Sequence, residues 1–193
     1  CASFVPTRAY SLRRSFTSDD VVNIATLDEV KTGKVTAQNA TNTWKWRAEN
    51  VSDVAFGLSD HYIWGGGSLV VDKKTGRRAS TQAAYDEPSK NFANMVKYIK
   101  TSLDFSSNRW PGVPYPYSKM TIFRGFADME YPMMANDSAQ ESPEMQEFVA
   151  AHEIMHSYFP FYMGINERRY AFMEEGWTTA FEYLFNAETF NKA

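Results

Sequence analysis

The stretch Ser142-Pro143-Glu144-Met145-Gln146-Glu147-Phe148-Val149-Ala150-Ala151-His152-Glu153-Ile154-Met155-His156 carries the reading of this chain. Its first three residues are a helix start: a capping hydroxyl, a proline at the first helical position and a carboxylate in the positive first turn. Met145, Phe148, Val149, His152, Met155, His156 and Phe159 then recur at helical spacing along one face, and Pro160 stops the helix. The spacing also has a chemical meaning. At about 100° per residue, two positions four apart differ by only about 40° around the helix and one turn along it, so both imidazoles of His152-Glu153-Ile154-Met155-His156 can reach one ion. Glu153 stands beside such an ion, placed to take a proton from a metal-bound water.

Downstream, a second helix is expected from about Ala171 to Phe185, with Met173, Trp177, Ala180, Phe181 and Leu184 on its buried side. Glu175 falls early in it, with 18 residues intervening after His156. Two His and one Glu with a fourth position left for water is the open, catalytic zinc arrangement, so the expected cofactor is one Zn2+ per chain. Read alone, Glu174 and Glu175 are a solvated first turn. Gly176 argues otherwise, because glycine inside a helix is costly unless backbone passes close to something. Glu182, about two turns beyond Glu175, or Thr179 is placed to support the ligands from behind.

Upstream the chain reads as strands and turns. Thr43 to Phe56 alternates, Ile63–Trp64, Leu69–Val71 and Ser80–Ala84 follow, and Gly65-Gly66-Gly67 and Asp72–Gly76 read as the turns between them. Ser89 to Leu103 has helical spacing, and residues 109–116, with three prolines, form a stiff loop. Lys119 to Phe123 resembles a buried strand and Tyr131 to Ala135 an edge strand that tolerates Pro132. Residues 1–42 show no clear period.

Composition narrows the partners. With 16% aromatic and 22% charged residues the chain has ample apolar surface to fold, and its net charge of -3 gives no case for nucleic acid. No run reaches the ~20 apolar residues of a transmembrane helix, so the chain reads as soluble. The single cysteine, Cys1, excludes an internal disulfide and a multi-cysteine zinc site. Cys1 reads either as the lipidated first residue of a bacterial lipoprotein, placing the chain at the cell envelope or periplasm, or as a cut end; the compartment stays open.

The motif H-E-x-x-H, 18 residues, then Glu-Gly-aromatic is similar to the aminopeptidase N family of gluzincin zinc metallopeptidases, which includes leukotriene hydrolase. Gly125-Phe126-Ala127-Asp128-Met129-Glu130-Tyr131 resembles that family's G-x-M-E-N exopeptidase motif, with Asp128 and Tyr131 departing from its commonest form. Trp44 to Phe56 resembles the end of the family's N-terminal β domain, with Asp53, Val54 and Phe56 matching best, so the likeness spans roughly residues 43–186. It implies an α+β fold. A remnant β domain over residues 1–57 precedes a thermolysin-like lobe over 58–193, whose mixed sheet packs on two zinc-ligand helices. It also implies zinc on His152, His156 and Glu175, with Glu153 as general base. Glu130 would bind the free amino group of a peptide, alongside Gly125, Ala127 and Met129 of the same substrate-binding segment.

Two departures qualify the likeness. Ser157-Tyr158-Phe159-Pro160 stands where the family has Gln-Trp-Phe-Gly, and the family's transition-state Tyr would lie beyond Ala193. Tyr158, Tyr162, Tyr170 and Tyr183 read as structural. The expectation is therefore a zinc aminopeptidase core that binds zinc but needs the missing parts of a longer protein for full hydrolysis, and that exposes apolar surface along Phe159, Phe161, Tyr162 and Phe185. An endopeptidase of the thermolysin type, or a peptide-binding module without turnover, are the alternatives.

Overall fold

The computed structural model describes residues 3–6, 51–59, 61–86 and 88–190. Cys1, the alternating run from Trp44 to Arg47 and most of the expected leading β domain lie outside the described residues. Two short strands, β1 (Ser3–Pro6) and β2 (Phe56–Ser59), pair in parallel. The main body is a mixed five-stranded sheet with helices, an α+β arrangement. In chain order its elements are β3 (Ile63–Asp72), β4 (Arg77–Tyr85), α1 (Met95–Asn108), β5 (Lys119–Arg124), β6 (Met129–Tyr131), β7 (Met134–Asp137), α2 (Pro143–Met155) and α3 (Glu175–Thr189).

Across the sheet the strand order is β3-β4-β5-β7-β6. The three middle strands β4, β5 and β7 run parallel, and antiparallel β3 and β6 form the two edges. Hairpin β3–β4 turns at Asp72–Gly76 as expected, where the Asp72 carboxylate accepts from the Thr75 hydroxyl and the Lys74 N–H. The expected turn at Gly65-Gly66-Gly67 is instead the middle of β3. A Cβ on Gly65 would meet Val96 at 3.4 Å and one on Gly67 would meet Lys100 Cε at 2.9 Å. These glycines let α1 lie close on the edge strand, the second use of glycine in strands. Pro132 also moves: it sits in the turn between β6 and β7, so the single expected edge strand is a hairpin.

Met95, Ile99 and Leu103 of α1 pack with Met120, Ile122 and Ala135 of the sheet and with Ala150 and Ile154 of α2 in one core. Ser142 caps α2, its Oγ accepting from the Met145 N–H at 3.1 Å, with Pro143 at the first position. The expected faces of α2 and α3 hold in part. Met155, His156 and Phe181 are buried as expected, but Met145, Trp177 and Leu184 are exposed, and Gln146, Glu153, Thr178, Glu182 and Phe185 are buried in addition. Phe185 packs edge-on against Phe105, so it does not belong to an exposed apolar surface; Phe172, Tyr183 and Tyr162 do. Polar side chains took interior positions because the interior of α2 and α3 is where the charged cluster lies. Among the described residues, no helix is long and apolar enough to cross a membrane.

Candidate metal centre

The last turn of α2 presents His152 and His156, and the first residue of α3 is Glu175. Their ligand atoms form a triangle: His152 Nε2 to His156 Nε2 is 3.2 Å, His152 Nε2 to Glu175 Oε2 is 3.4 Å and His156 Nε2 to Glu175 Oε2 is 3.7 Å. A tetrahedral ion bonded at 2.0–2.1 Å spaces its ligand atoms roughly 3.3 Å apart, so the triangle has the size of one face of such a site. The other ring nitrogens are already committed. His152 Nδ1 meets the Glu182 carboxylate, and His156 Nδ1 donates to the Phe159 carbonyl at 2.9 Å. With an acceptor at each Nδ1, the protons sit there, and two lone pairs face each other across the Nε2 pair. That contact needs a metal ion or a shared proton between the two nitrogens, and support of each ring from behind is the usual outer shell of metal-bound histidine.

The sequence supplies the Phe159 carbonyl through Pro160. A residue before proline is pushed out of the helical region, and Phe159 adopts φ -128, ψ 107 inside otherwise wide helical turns over Ser157–Tyr162. The helix therefore ends one turn earlier than its apolar pattern suggests, and the released carbonyl folds back onto His156. Thr178 Oγ1 lies 3.4 Å from the same Nδ1. Of the two expected supports Glu182 is in place, and Thr178 stands where Thr179 was expected.

A second set of carboxyls meets His156 from the sheet side. Glu130 on edge strand β6 and Glu174 before α3 bring Oε1 atoms to 3.9 and 3.7 Å from His156 Nδ1. Ligand atoms of Glu130, Glu153 and His156 all lie within 4.8 Å of one another. Glu153 is 6% exposed, and among the described residues its Oε2 finds no hydrogen-bond partner. Burial, with Asp137 adding like charge, pushes its carboxyl up to about 9. Asp137, fully buried and with neither oxygen finding a hydrogen-bond partner among the described residues, is itself held well above the usual carboxylate range by burial and then by Asp128. Glu174 is pushed up to about 8 by burial and by its hydrogen-bond contact with Glu130.

The histidines differ in the same way. Burial and the neighbouring His152 lower His156 to about 4, which keeps it neutral and ready to ligate. Burial also opposes a proton on His152, but Glu182, Glu153 and Glu175 outweigh it and the net shift is upward.

The structure thus brings His152, His156, Glu175, Glu153 and Glu130 into one cluster. Gly125 and Ala127 lie on the loop before β6 and Met129 on β6 itself, on the strand that carries Glu130. Gly125 has a local reason: its Cβ would sit 1.6 Å from Asn136 Oδ1, and its N–H donates to Asp137 O at 2.8 Å. Gly176 has none, because its Cβ would find only Phe172, at 4.0 Å, so the close approach expected there is absent. Glu174 and Asp137 are the residues that sequence reasoning missed. Tyr158 is structural, its hydroxyl donating to Val113 O at 2.9 Å. No protein-family model matches the chain, and no curated protein matches it.

Proposed function

We propose that this chain is the core of a thermolysin-like zinc aminopeptidase, removing N-terminal residues from peptides. The observation that carries the reading is the ligand triangle of His152, His156 and Glu175 with the buried Glu153 beside it and the edge-strand Glu130 brought to the same histidine. Zinc held by the three ligands would polarise the scissile carbonyl and lower the pKa of a bound water. Glu153, next in sequence to His152 and short of hydrogen-bond partners, takes the proton from the attacking water and delivers it to the leaving amine. Glu182 and the Phe159 carbonyl fix the imidazole tautomers. Glu130 binds the substrate ammonium, and Glu174 adds a second carboxyl to the same pocket.

Glu130 also separates this reading from an endopeptidase, which has no use for a carboxylate at that place. The test is hydrolysis of one peptide with a free and with an acetylated N-terminus by the zinc-loaded chain and its Glu153→Gln variant. Free-amine substrate should be preferred, and Glu153→Gln should keep zinc while losing at least ~10²-fold in rate. Equal hydrolysis of both peptides would favour an endopeptidase. No zinc-dependent hydrolysis of either would favour a peptide-binding module.

A further inference from the structure

The loop that leads into Glu130 borders a cleft that the chemistry above does not use. It measures about 700 Å³ and opens at the carboxyl ends of the parallel strands β4, β5 and β7, the end at which open sheets with parallel strands hold ligands. Tyr62, Phe123 and Phe126 give it aromatic walls, Asp86 and Arg124 one polar edge, and Asn136 its side toward β6. The polar edge carries no net charge, since Arg124 Nε pairs with Asp86 at 3.4 Å while the Ser89 hydroxyl donates to Asp86 at 2.6 Å. Among the described residues, the Arg124–Asp86 pair leaves neither of its charges spare for a charged side chain. Phe126, in contrast, is 94% exposed. A large ring standing in water at the mouth of an aromatic cleft has apolar area to lose to an apolar ligand.

Register connects the cleft to the candidate site. Glu130 pairs with Ala135, and Met129 with Asn136, which also lines the cleft. A peptide that adds to edge β6 as an antiparallel strand, with its amine at Glu130, runs back past Met129 and Asp128 toward Ala127 and Phe126. We infer that the cleft receives a large apolar or aromatic side chain from the second or third residue of the substrate peptide. The enzyme would then read residues beyond the one it removes. This inference rests on the aminopeptidase reading.

Calorimetry on the zinc-loaded Glu153→Gln chain tests it without turnover. The probes are Ala-Ala-Ala-Ala, Ala-Phe-Ala-Ala and Ala-Ala-Phe-Ala amides, each with a free and with an acetylated N-terminus, measured again with Phe126→Ala added. One Phe peptide should bind roughly ten-fold or more tighter than the all-Ala peptide, the order expected for burying a phenyl ring. Phe126→Ala should remove most of that advantage and leave all-Ala binding unchanged; so exposed a residue is not needed for folding. If acetylation weakens every peptide but Phe confers nothing, or its advantage survives Phe126→Ala, the cleft inference is overturned and the aminopeptidase reading stands. Binding that ignores acetylation, or no binding at all, overturns both.

Discussion

His156 stands between two halves of the cluster that are built differently. On its Nε2 side, His152 and Glu175 close a triangle whose rings are held from behind by Glu182 and the Phe159 carbonyl, so each donor and acceptor has a place. On its Nδ1 side stand Glu130 and Glu174, and the buried Glu153 lies close to Glu130 and His156 with Asp137 near it; among the described residues Glu153 Oε2 and both Asp137 oxygens find no hydrogen-bond partner. The first half is arranged to keep a cation. The second holds three buried carboxyls, Glu153, Glu174 and Asp137, that are shifted toward their protonated forms, an arrangement suited to work done on a substrate and costly for stability.

The difference can be broken by mutation. The largest effect should be the loss of at least ~10²-fold in hydrolysis with Glu153→Gln, accompanied by unchanged zinc content. On the ordered side, Glu182→Gln should weaken zinc by ~10–100-fold in a chelator competition, the usual cost of removing the support of a ligand histidine. Undiminished affinity would mean that Glu182 only packs.

A smaller effect should separate the halves by pH. In the metal-free chain Glu153 and Glu174 hold protons up to about 9 and about 8, and His152 is also raised, while in the unfolded chain the carboxyls ionise near 4.5. Between roughly pH 6.5 and 9 the folded state therefore binds more protons than the unfolded one, so stability must fall as pH rises. His156 is lowered and opposes this trend only near its unfolded value of 6.5, fading above about pH 7.5, where it is neutral in both states. Zinc competes with the proton on His152, so its stabilising effect should grow over the same window. Denaturant unfolding at both ends of that range, with and without zinc, measures both slopes; a metal-free chain that gains stability with pH would contradict the protonated carboxyls.

The smallest effect is expected outside both halves. Gly176→Ala meets open space at a helical position and should stabilise by about 0.5–1 kcal/mol without altering zinc content.

What was legible in the sequence follows the same division. Ligand chemistry picked out Glu175, whose approach depends on how α3 closes over α2, and local rules located the cap at Ser142 and the paired histidines one turn apart, because helix geometry fixes them. Glu182 was legible for the same reason. Glu174 and Asp137 were not, since their burial depends on how α3 and β7 close over α2, and two adjacent glutamates at a helix start read most simply as solvated. The triple glycine misled because a turn and a close helix–strand contact ask for the same residue. Parts of both helix faces differ for a related reason: an apolar-stripe argument assigns the interior to Met145 and Trp177 along with Met155 and Phe181, but the buried sides of α2 and α3 also carry Glu153, Thr178 and Glu182 around the cluster.

The central claim, that a zinc ion belongs to the ordered half, is tested most directly by metal analysis after dialysis of three proteins. Wild type should retain about one zinc per chain. The Glu175→Gln variant should lose most of it, and the double variant Glu130→Gln, Glu153→Gln should keep it. Zinc lost from the double variant and retained by Glu175→Gln would place the ion among Glu130, Glu153 and His156 and contradict the account.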